Sequence, residues 1–208
     1  MVRGLKQRGA IVSQEVERAL SKVPRHLFIP DNMRPLAYRD SPLAIGEGQT
    51  ISAPHMVAMM AEALQLRPGL RVLEIGTGSG YNAAVMAELV GEEGVILTME
   101  RHRSLAARAE KAIREAGYGN VQVLVGDGSL GYQPDAPYDR ISVTCGAPEV
   151  PRPLWDQLKE GGIMVIPVGQ REYQSLLRVT RSEGRTITED LGPVVFVPLI
   201  GQKGHRSD

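Results

Sequence analysis

The sequence predicts an α/β fold: a doubly wound, mostly parallel sheet with an antiparallel edge, carrying a small helical N-terminal extension. Three observations lead there. Apolar, strand-like runs alternate with helix-like segments from Leu70 to Val168 at βα spacing, which requires parallel strands joined by crossover helices. The run Val72 to Ile75 meets glycines at alternate positions, Gly76, Gly78 and Gly80, and a helix-favouring segment, Asn82 to Val90, follows. Strand, glycine turn and helix together open a nucleotide-binding α/β unit. Finally, the last two strand-like runs, Gln174 to Thr180 and Val194 to Ile200, lack a long helix between them and are expected to pair as an antiparallel edge hairpin. Residues 1–66 form the extension, which contributes to the cleft, and residues 67–208 the core, in one compact unit.

Taken in order, Val12, Val16, Ala19, Leu20 and Val23 recur at helical spacing, with Ser13 placed to cap that helix and Glu15 in its first turn. Pro24 ends it. The segment from Pro24 to Ser41 is punctuated by prolines and resists assignment; His26 within it reads as a hydrogen-bonded packing residue. Gly46 and Gly48 then make a flexible bend beside Gln49, Thr50 and Ser52. Pro54 suits the first turn of a helix that places Met56, Met59, Met60, Ala63 and Leu64 on one face. Ser52 has two readings: an N-cap for that helix, or a hydroxyl at a ligand-facing helix mouth.

Pro68-Gly69 turns into the first strand. Gly94 to Glu100 reads as the second, His102 to Ala116 as a helix, Val121 to Val125 as the third strand, and Tyr138 to Thr144 as the fourth. Pro151 to Lys159 reads as a helix, after which Gly161-Gly162 turns into strand Ile163 to Val168. The stretch from Gln202 to Asp208 is polar and expected to be loose. Two acids stand at strand ends. Glu100, about 20 residues past the glycine turn, occupies the place where such folds accept hydrogen bonds from ribose hydroxyls. Asp127, in Gly126-Asp127-Gly128, meets either the adenine edge of a ligand or its own backbone in an Asx-turn.

Composition narrows the function. The 208 residues suit one α/β domain, and 24 Lys+Arg balance 24 Asp+Glu, which argues against a protein that tracks nucleic-acid phosphates. The single cysteine, Cys145, has no basic neighbour in sequence and reads as a packing residue rather than a nucleophile. The four histidines lie far apart without metal-ligand spacing, so no metal is expected. No apolar run approaches a membrane span, and the N-terminus has no signal-peptide core, so the expected location is cytoplasmic.

The glycine turn selects among ligands. A dinucleotide fingerprint needs a small residue where Tyr81 stands. A P-loop needs Lys-Ser/Thr after the glycines. A nucleophile elbow around Ser79 would need glycines where Thr77 and Tyr81 stand. What remains, Glu74 followed by Gly76, Gly78 and Gly80, resembles the first motif of S-adenosylmethionine-dependent methyltransferases.

Several further stretches resemble one family of those enzymes, the protein-L-isoaspartate O-methyltransferases. They are Val23 to Phe28, Tyr38 to Pro42, Gly48 to Pro54, Val72 to Tyr81, Val125 to Gly128, Ala136 to Asp139, Ala147 to Pro151, Gln157 to Lys159 with Gly161-Gly162, Ile166 to Gly169, and Val197 to Leu199. Gly48 to Pro54 is the specific part, because other methyltransferases share only the glycine turn, the strand-end acid and the sheet. The resemblance implies a Rossmann-like methyltransferase sheet and a catalytic role for Ser52. It implies donor contacts at Gln49, Thr50, Ile51, Ser52 and His55, at Glu74, Gly76, Thr77, Gly78 and Gly80 around the turn, at Glu100 with Arg101, and at Asp127 with Gly128. It implies S-adenosylmethionine as methyl donor, S-adenosylhomocysteine as product, and isoaspartyl-containing peptides and damaged proteins as partners. The expected chain is monomeric, with neither nucleic acid nor membrane as partner. Two other readings stay open: a methyltransferase with another substrate, and a cofactor-binding module without turnover. Cys145-Gly146 replaces alanines found in many relatives after the fourth strand.

Overall fold

The computed structural model describes residues 1–206. Two helices open the chain, α1 (Val2–Gln7) and α2 (Gln14–Lys22). Ser13 caps α2 as expected: its hydroxyl accepts from Val16 N at 3.2 Å. The unassigned stretch from Pro24 holds two 3₁₀ segments, Arg25–Phe28 and Asp31–Leu36. His26 Nδ1 sits 2.7 Å from the Tyr38 hydroxyl, the hydrogen-bonded packing role anticipated for it.

The bend at Gly46 and Gly48 is the tip of an antiparallel hairpin, β1 (Leu43–Gly46) and β2 (Gln49–Ile51). Its turn carries three successive positive φ angles at Gly46, Glu47 and Gly48, of 92°, 53° and 67°, which is why two glycines stand there. Helix α3 (Pro54–Leu64) follows with Pro54 in its first turn.

The core then alternates: β3 (Arg71–Ile75), α4 (Tyr81–Val90), β4 (Val95–Glu100), α5 (Arg103–Glu115), β5 (Val121–Val125), β6 (Tyr138–Val143), α6 (Arg152–Gln157), β7 (Leu158–Gln170), β8 (Tyr173–Ser182) and β9 (Arg185–Val194). The strands form one sheet in the order β5-β4-β3-β6-β7-β8-β9. The first four pairings are parallel, and β7-β8 and β8-β9 are antiparallel. The chain steps from β3 outward to β4 and β5, then returns to the other side of β3 at β6. Strand order therefore reverses between β3 and β6, and a crevice opens at their carboxyl ends.

Alternation along β3 divides the core. Val72 joins one apolar cluster with Leu5, Leu20, Val57, Tyr81 and Ile96; Leu73 and Ile75 join the other, with Leu97, Met99 and Ile141. Burial on both faces explains the continuous apolar runs of β3 and β4, inside the sheet. Among the described residues, no helix is long and apolar enough to cross a membrane.

Three sequence expectations need correction. The final strand is Arg185–Val194, not Val194 to Ile200. Residues 185–190 are exposed, so β9 lacks the apolar alternation that marks a strand, whereas residues 195–200 lie beyond it and make isolated bridges, Pro198 to Gly146 and Ile200 to His205. The helix predicted for Pro151 to Lys159 ends at Gln157. Strand β7 already begins at Leu158, and Gly161-Gly162 sits in a register shift inside it, with φ of 76° at Gly161. The tail is not loose over 202–206. Gln202 N donates to Asp127 Oδ2 at 2.8 Å, Lys203 N to Ser129 Oγ at 2.9 Å, and His205 N to Leu199 O at 2.7 Å. Ser207 and Asp208 lie outside the described residues.

Candidate active site

The glycine turn runs over the carboxyl ends of β3 and β6 and is held from several sides. Gly76 N and Thr77 N both donate to Met99 O, at 2.9 and 3.1 Å. The Thr144 hydroxyl donates to Gly76 O at 2.6 Å. A Cβ on Gly76, whose φ is 96°, would lie 2.5 Å from that hydroxyl, so glycine is required by both angle and space. Gly78 N donates to Glu100 Oε2 at 2.9 Å, and His102 N to Glu100 Oε1 at 3.0 Å.

Beneath the turn lies a buried polar chain. The Thr98 hydroxyl donates to Glu74 Oε2 at 2.5 Å, Asn82 Nδ2 donates to Glu74 Oε1 at 2.8 Å, and the Thr77 hydroxyl lies 2.6 Å from that of Thr98. With the Thr98 proton directed at the carboxylate, Thr77 is the donor to Thr98. Glu74 is fully buried. Burial raises its pKa from the ordinary 4.5 to about 7; the bonds from Thr98 and Asn82 oppose that rise and the charge of Glu100 adds to it.

One cleft, with about 780 Å³ of empty space counting its open mouth, is lined by Gln49, Thr50, Ile51, Ser52, Gly76, Thr77, Gly78, Glu100, Arg101 and Gly128. The structure thus brings together the hairpin, the turn and both strand-end loops. Four other implied contacts lie elsewhere. Glu74 is under the turn, its oxygens used by Thr98 and Asn82. Gly80 caps α4 with φ of 86° and is pressed against α5, where a Cβ would lie 2.9 Å from Ile113 Cδ1. Asp127 forms the Asx-turn: Oδ1 accepts from Ser129 N and Ser129 Oγ at 2.9 and 2.7 Å, and Oδ2 accepts from Gln202 N. His55 lines a neighbouring groove instead, its Nδ1 2.9 Å from Asp40 Oδ1. Burial pushes the Asp40 carboxyl up, but hydrogen bonds from His55 N and Nδ1, with the charges of His55 and Arg8, hold it below its ordinary value. This His–Asp pair was invisible in sequence because 15 residues separate its members.

The N-cap reading of Ser52 fails. Helix α3 starts one residue too late for it: Ala53 is the cap, and no side chain caps the helix. Among the described residues the Ser52 hydroxyl has no protein hydrogen-bond partner, and it stands where two cavities meet. Thr50, Ser52, Thr144 and Val197 line both the cleft and the groove that reaches His55, Met56 and Tyr173.

Cleft residues that sequence reasoning missed include Met99, His102, Thr144 and the run Val197 to Ile200. That run reaches the cleft through backbone bonds, Gly146 N to Val197 O and Leu199 N to Gly146 O, both 2.8 Å. No local motif announces such a pairing. Cys145 lines the cleft as a buried thiol whose pKa burial raises far above the usual range, with Glu100 and Glu74 adding to the rise. It stays protonated and is no nucleophile.

The cleft suits an adenosyl sulfonium ligand. Glu100 lines it, and each carboxylate oxygen keeps a lone pair beyond its one backbone bond, able to accept from a ribose hydroxyl. Ile75, Met99, Val197 and Ile200 offer apolar wall for a flat base. Among the described residues, no group of three or more His, Cys, Asp or Glu could hold a metal ion.

Comparison with known proteins agrees with this geometry. The family model for protein-L-isoaspartate(D-aspartate) O-methyltransferase matches residues 1–204. The protein-L-isoaspartate O-methyltransferase of Methanosarcina mazei is 56% identical over 207 residues, covering 99% of this chain and 84% of that protein. The one from Ignicoccus hospitalis is 55% identical over 204 residues, covering 98% and 97%. A Plasmodium falciparum structure described as such an enzyme in complex with S-adenosyl-L-homocysteine superposes with TM-score 0.87 at 29% identity, covering 96% of both chains. With the glycine turn, the Gln49–Ser52 strand and the strand-end acid converging on one cleft, and with relatives matching from end to end, the chain belongs to the protein-L-isoaspartate (D-aspartate) O-methyltransferase family.

Proposed function

We infer that the protein transfers a methyl group from S-adenosylmethionine to the α-carboxylate of L-isoaspartyl residues in damaged peptides and proteins, the step that begins their repair. The observation that carries this reading within the structure is the position of Ser52. Its hydroxyl, without a protein partner among the described residues, stands at the seam between the cleft of the glycine turn and a second groove.

The chemistry asks little of acid or base. A carboxylate with an intrinsic pKa of about 4 is already ionised at neutral pH. When bound, S-adenosylmethionine supplies an electrophilic methyl group on a sulfonium. The protein's task is alignment, for which good placement is worth about 7–11 kcal/mol. Ser52 donates to one carboxylate oxygen and leaves the other free to attack. The apolar cleft wall excludes water that would otherwise hold both charges apart in the ground state. Glu100 takes the ribose hydroxyls, while Gln49, Thr50 and Ile51 close the cleft over the turn. Gly76, Thr77, Gly78, Arg101 and Gly128 complete the contacts.

The same reading has the protein acting as a cytoplasmic monomer without nucleic-acid or membrane partners. Its 24 basic and 24 acidic residues support the exclusion of a polyanion. The test uses one peptide sequence in isoaspartyl and aspartyl forms with labelled donor. Methylation of the isoaspartyl form alone is expected. Methylation of neither form, with donor still bound, would make the protein a binding module or assign it another acceptor.

A further inference from the structure

Behind the Ser52 wall lies a charge with no counter-ion. Arg25 is 0% exposed. Its Nε donates to Ala37 O and its Nη2 to Ser52 O, each at 2.8 Å. Its guanidinium carbon lies 4.8 Å from the centre of the Tyr81 ring. Nη1 and the Tyr81 hydroxyl are buried and, among the described residues, neither makes a well-aligned hydrogen bond; they interact with each other, a neutral phenol being no counter-ion. Among the described residues Arg25 makes no ion pair. Asp40, the carboxylate that acts on it after the Tyr81 phenol, is already bonded to Arg8 and His55.

An arginine keeps its proton in proteins, so this is a permanent buried cation. Burying a charge without a partner is costly, and a fold retains one where something else supplies the opposite charge. Two groups that touch Arg25, Ser52 and Tyr81, line the cleft, while Arg25 itself does not. A carboxylate oxygen accepting from the Ser52 hydroxyl lies no more than about 11 Å from Nη2 by bond lengths alone. Across buried protein, that distance is screened less than in solvent.

We propose that Arg25 is a positioning residue for the acceptor: it fixes the Ser52 backbone by its bond to the carbonyl, and its unpaired charge makes the substrate carboxylate its counter-ion. The proposal rests on the function inferred above and adds to it a source of selectivity for the anionic over the neutral form of the same residue.

The experiment measures binding, not turnover. The protein is saturated with S-adenosylhomocysteine, and calorimetry follows two peptides that differ only in an isoaspartyl α-carboxylate or its α-carboxamide. Wild-type protein is expected to prefer the carboxylate. In Arg25→Met that preference should fall by about tenfold, whereas Arg25→Lys, which keeps the charge with fewer hydrogen bonds, should retain most of it even if less stable. Equal weakening of both peptides in Arg25→Met would reduce Arg25 to a packing residue and overturn the proposal. Loss of preference in Arg25→Lys would overturn the charge argument as well, and this arm stands if the methionine variant does not fold. A wild-type protein indifferent to the two peptides would instead remove the acceptor assignment itself.

Discussion

Glu74→Gln separates the carboxylate's charge from its hydrogen bonds. In the folded protein Glu74 has a pKa of about 7, against an ordinary value of 4.5. Between those two values the folded chain binds a proton that the unfolded chain has released, so stability falls as pH rises. The stabilisation from the neutral carboxyl is complete below about pH 4.5 and is lost as pH rises through about 7. At about 1.4 kcal/mol per pH unit, the whole difference is about 3 kcal/mol. Glutamine reproduces the protonated form: its oxygen accepts from Asn82 and its amide donates to Thr98. Urea denaturation of both proteins at pH 4, 7 and 8.5 should therefore give nearly equal stabilities at the lowest pH. The variant should pull ahead by about 3 kcal/mol at the highest. Parallel pH profiles would show that Glu74 is ionised throughout and that burial does not control it.

Three other perturbations probe the cleft. Ser52→Ala should lower kcat at least about tenfold, roughly 1.4 kcal/mol, while calorimetric binding of S-adenosylhomocysteine stays unchanged; near-normal turnover would remove the hydroxyl from the reaction. Glu100→Ala should weaken donor binding by about 1.5–3 kcal/mol, and Glu100→Gln, which can still accept at one oxygen, should lose less; unchanged calorimetric affinity in both would refute the ribose placement. Gly80→Ala adds a Cβ 2.9 Å from Ile113 Cδ1 at a φ of 86°. It should cost about 2–4 kcal/mol from the backbone angle and overpacking together, and a melting temperature within a degree of wild type would contradict that packing.

The sequence shows clearly where local pattern and tertiary role coincide. The inner parallel strands β3 and β4 are buried on both faces and so appear as apolar runs; the glycine turn is legible because positive φ angles and close contacts demand glycine at Gly76 and Gly80. β9 was hidden because an exposed edge strand needs no apolar residues, and the helix α1 because only Leu5 of its six residues is buried. In the cleft, Ser52 and Glu100 stood at recognisable places. For Glu74 and Asp127 the sequence leaves the role open, because a carboxylate facing a ligand and one bonded to neighbouring protein groups, as these are to Thr98 and Asn82 or to Ser129, look identical in sequence. Val197 to Ile200 was missed as a cleft wall because its position depends on Gly146, some fifty residues away.

The first apolar cluster crosses the boundary that sequence composition suggests near residue 66. Leu5, Val16, Leu20 and Phe28 pack with Val72, Tyr81 and Ile96 on a common face of the sheet. The two parts share one interior on that side, where Phe28 also meets the Tyr81 ring edge-on at 5.7 Å. A fragment starting at residue 67 would lose Leu5, Val16, Leu20 and Phe28 and expose Tyr81 and its apolar neighbours to solvent, and aggregation is its expected fate. Acceptor groove and donor cleft, lined from both parts, are therefore expected to unfold together in a single transition.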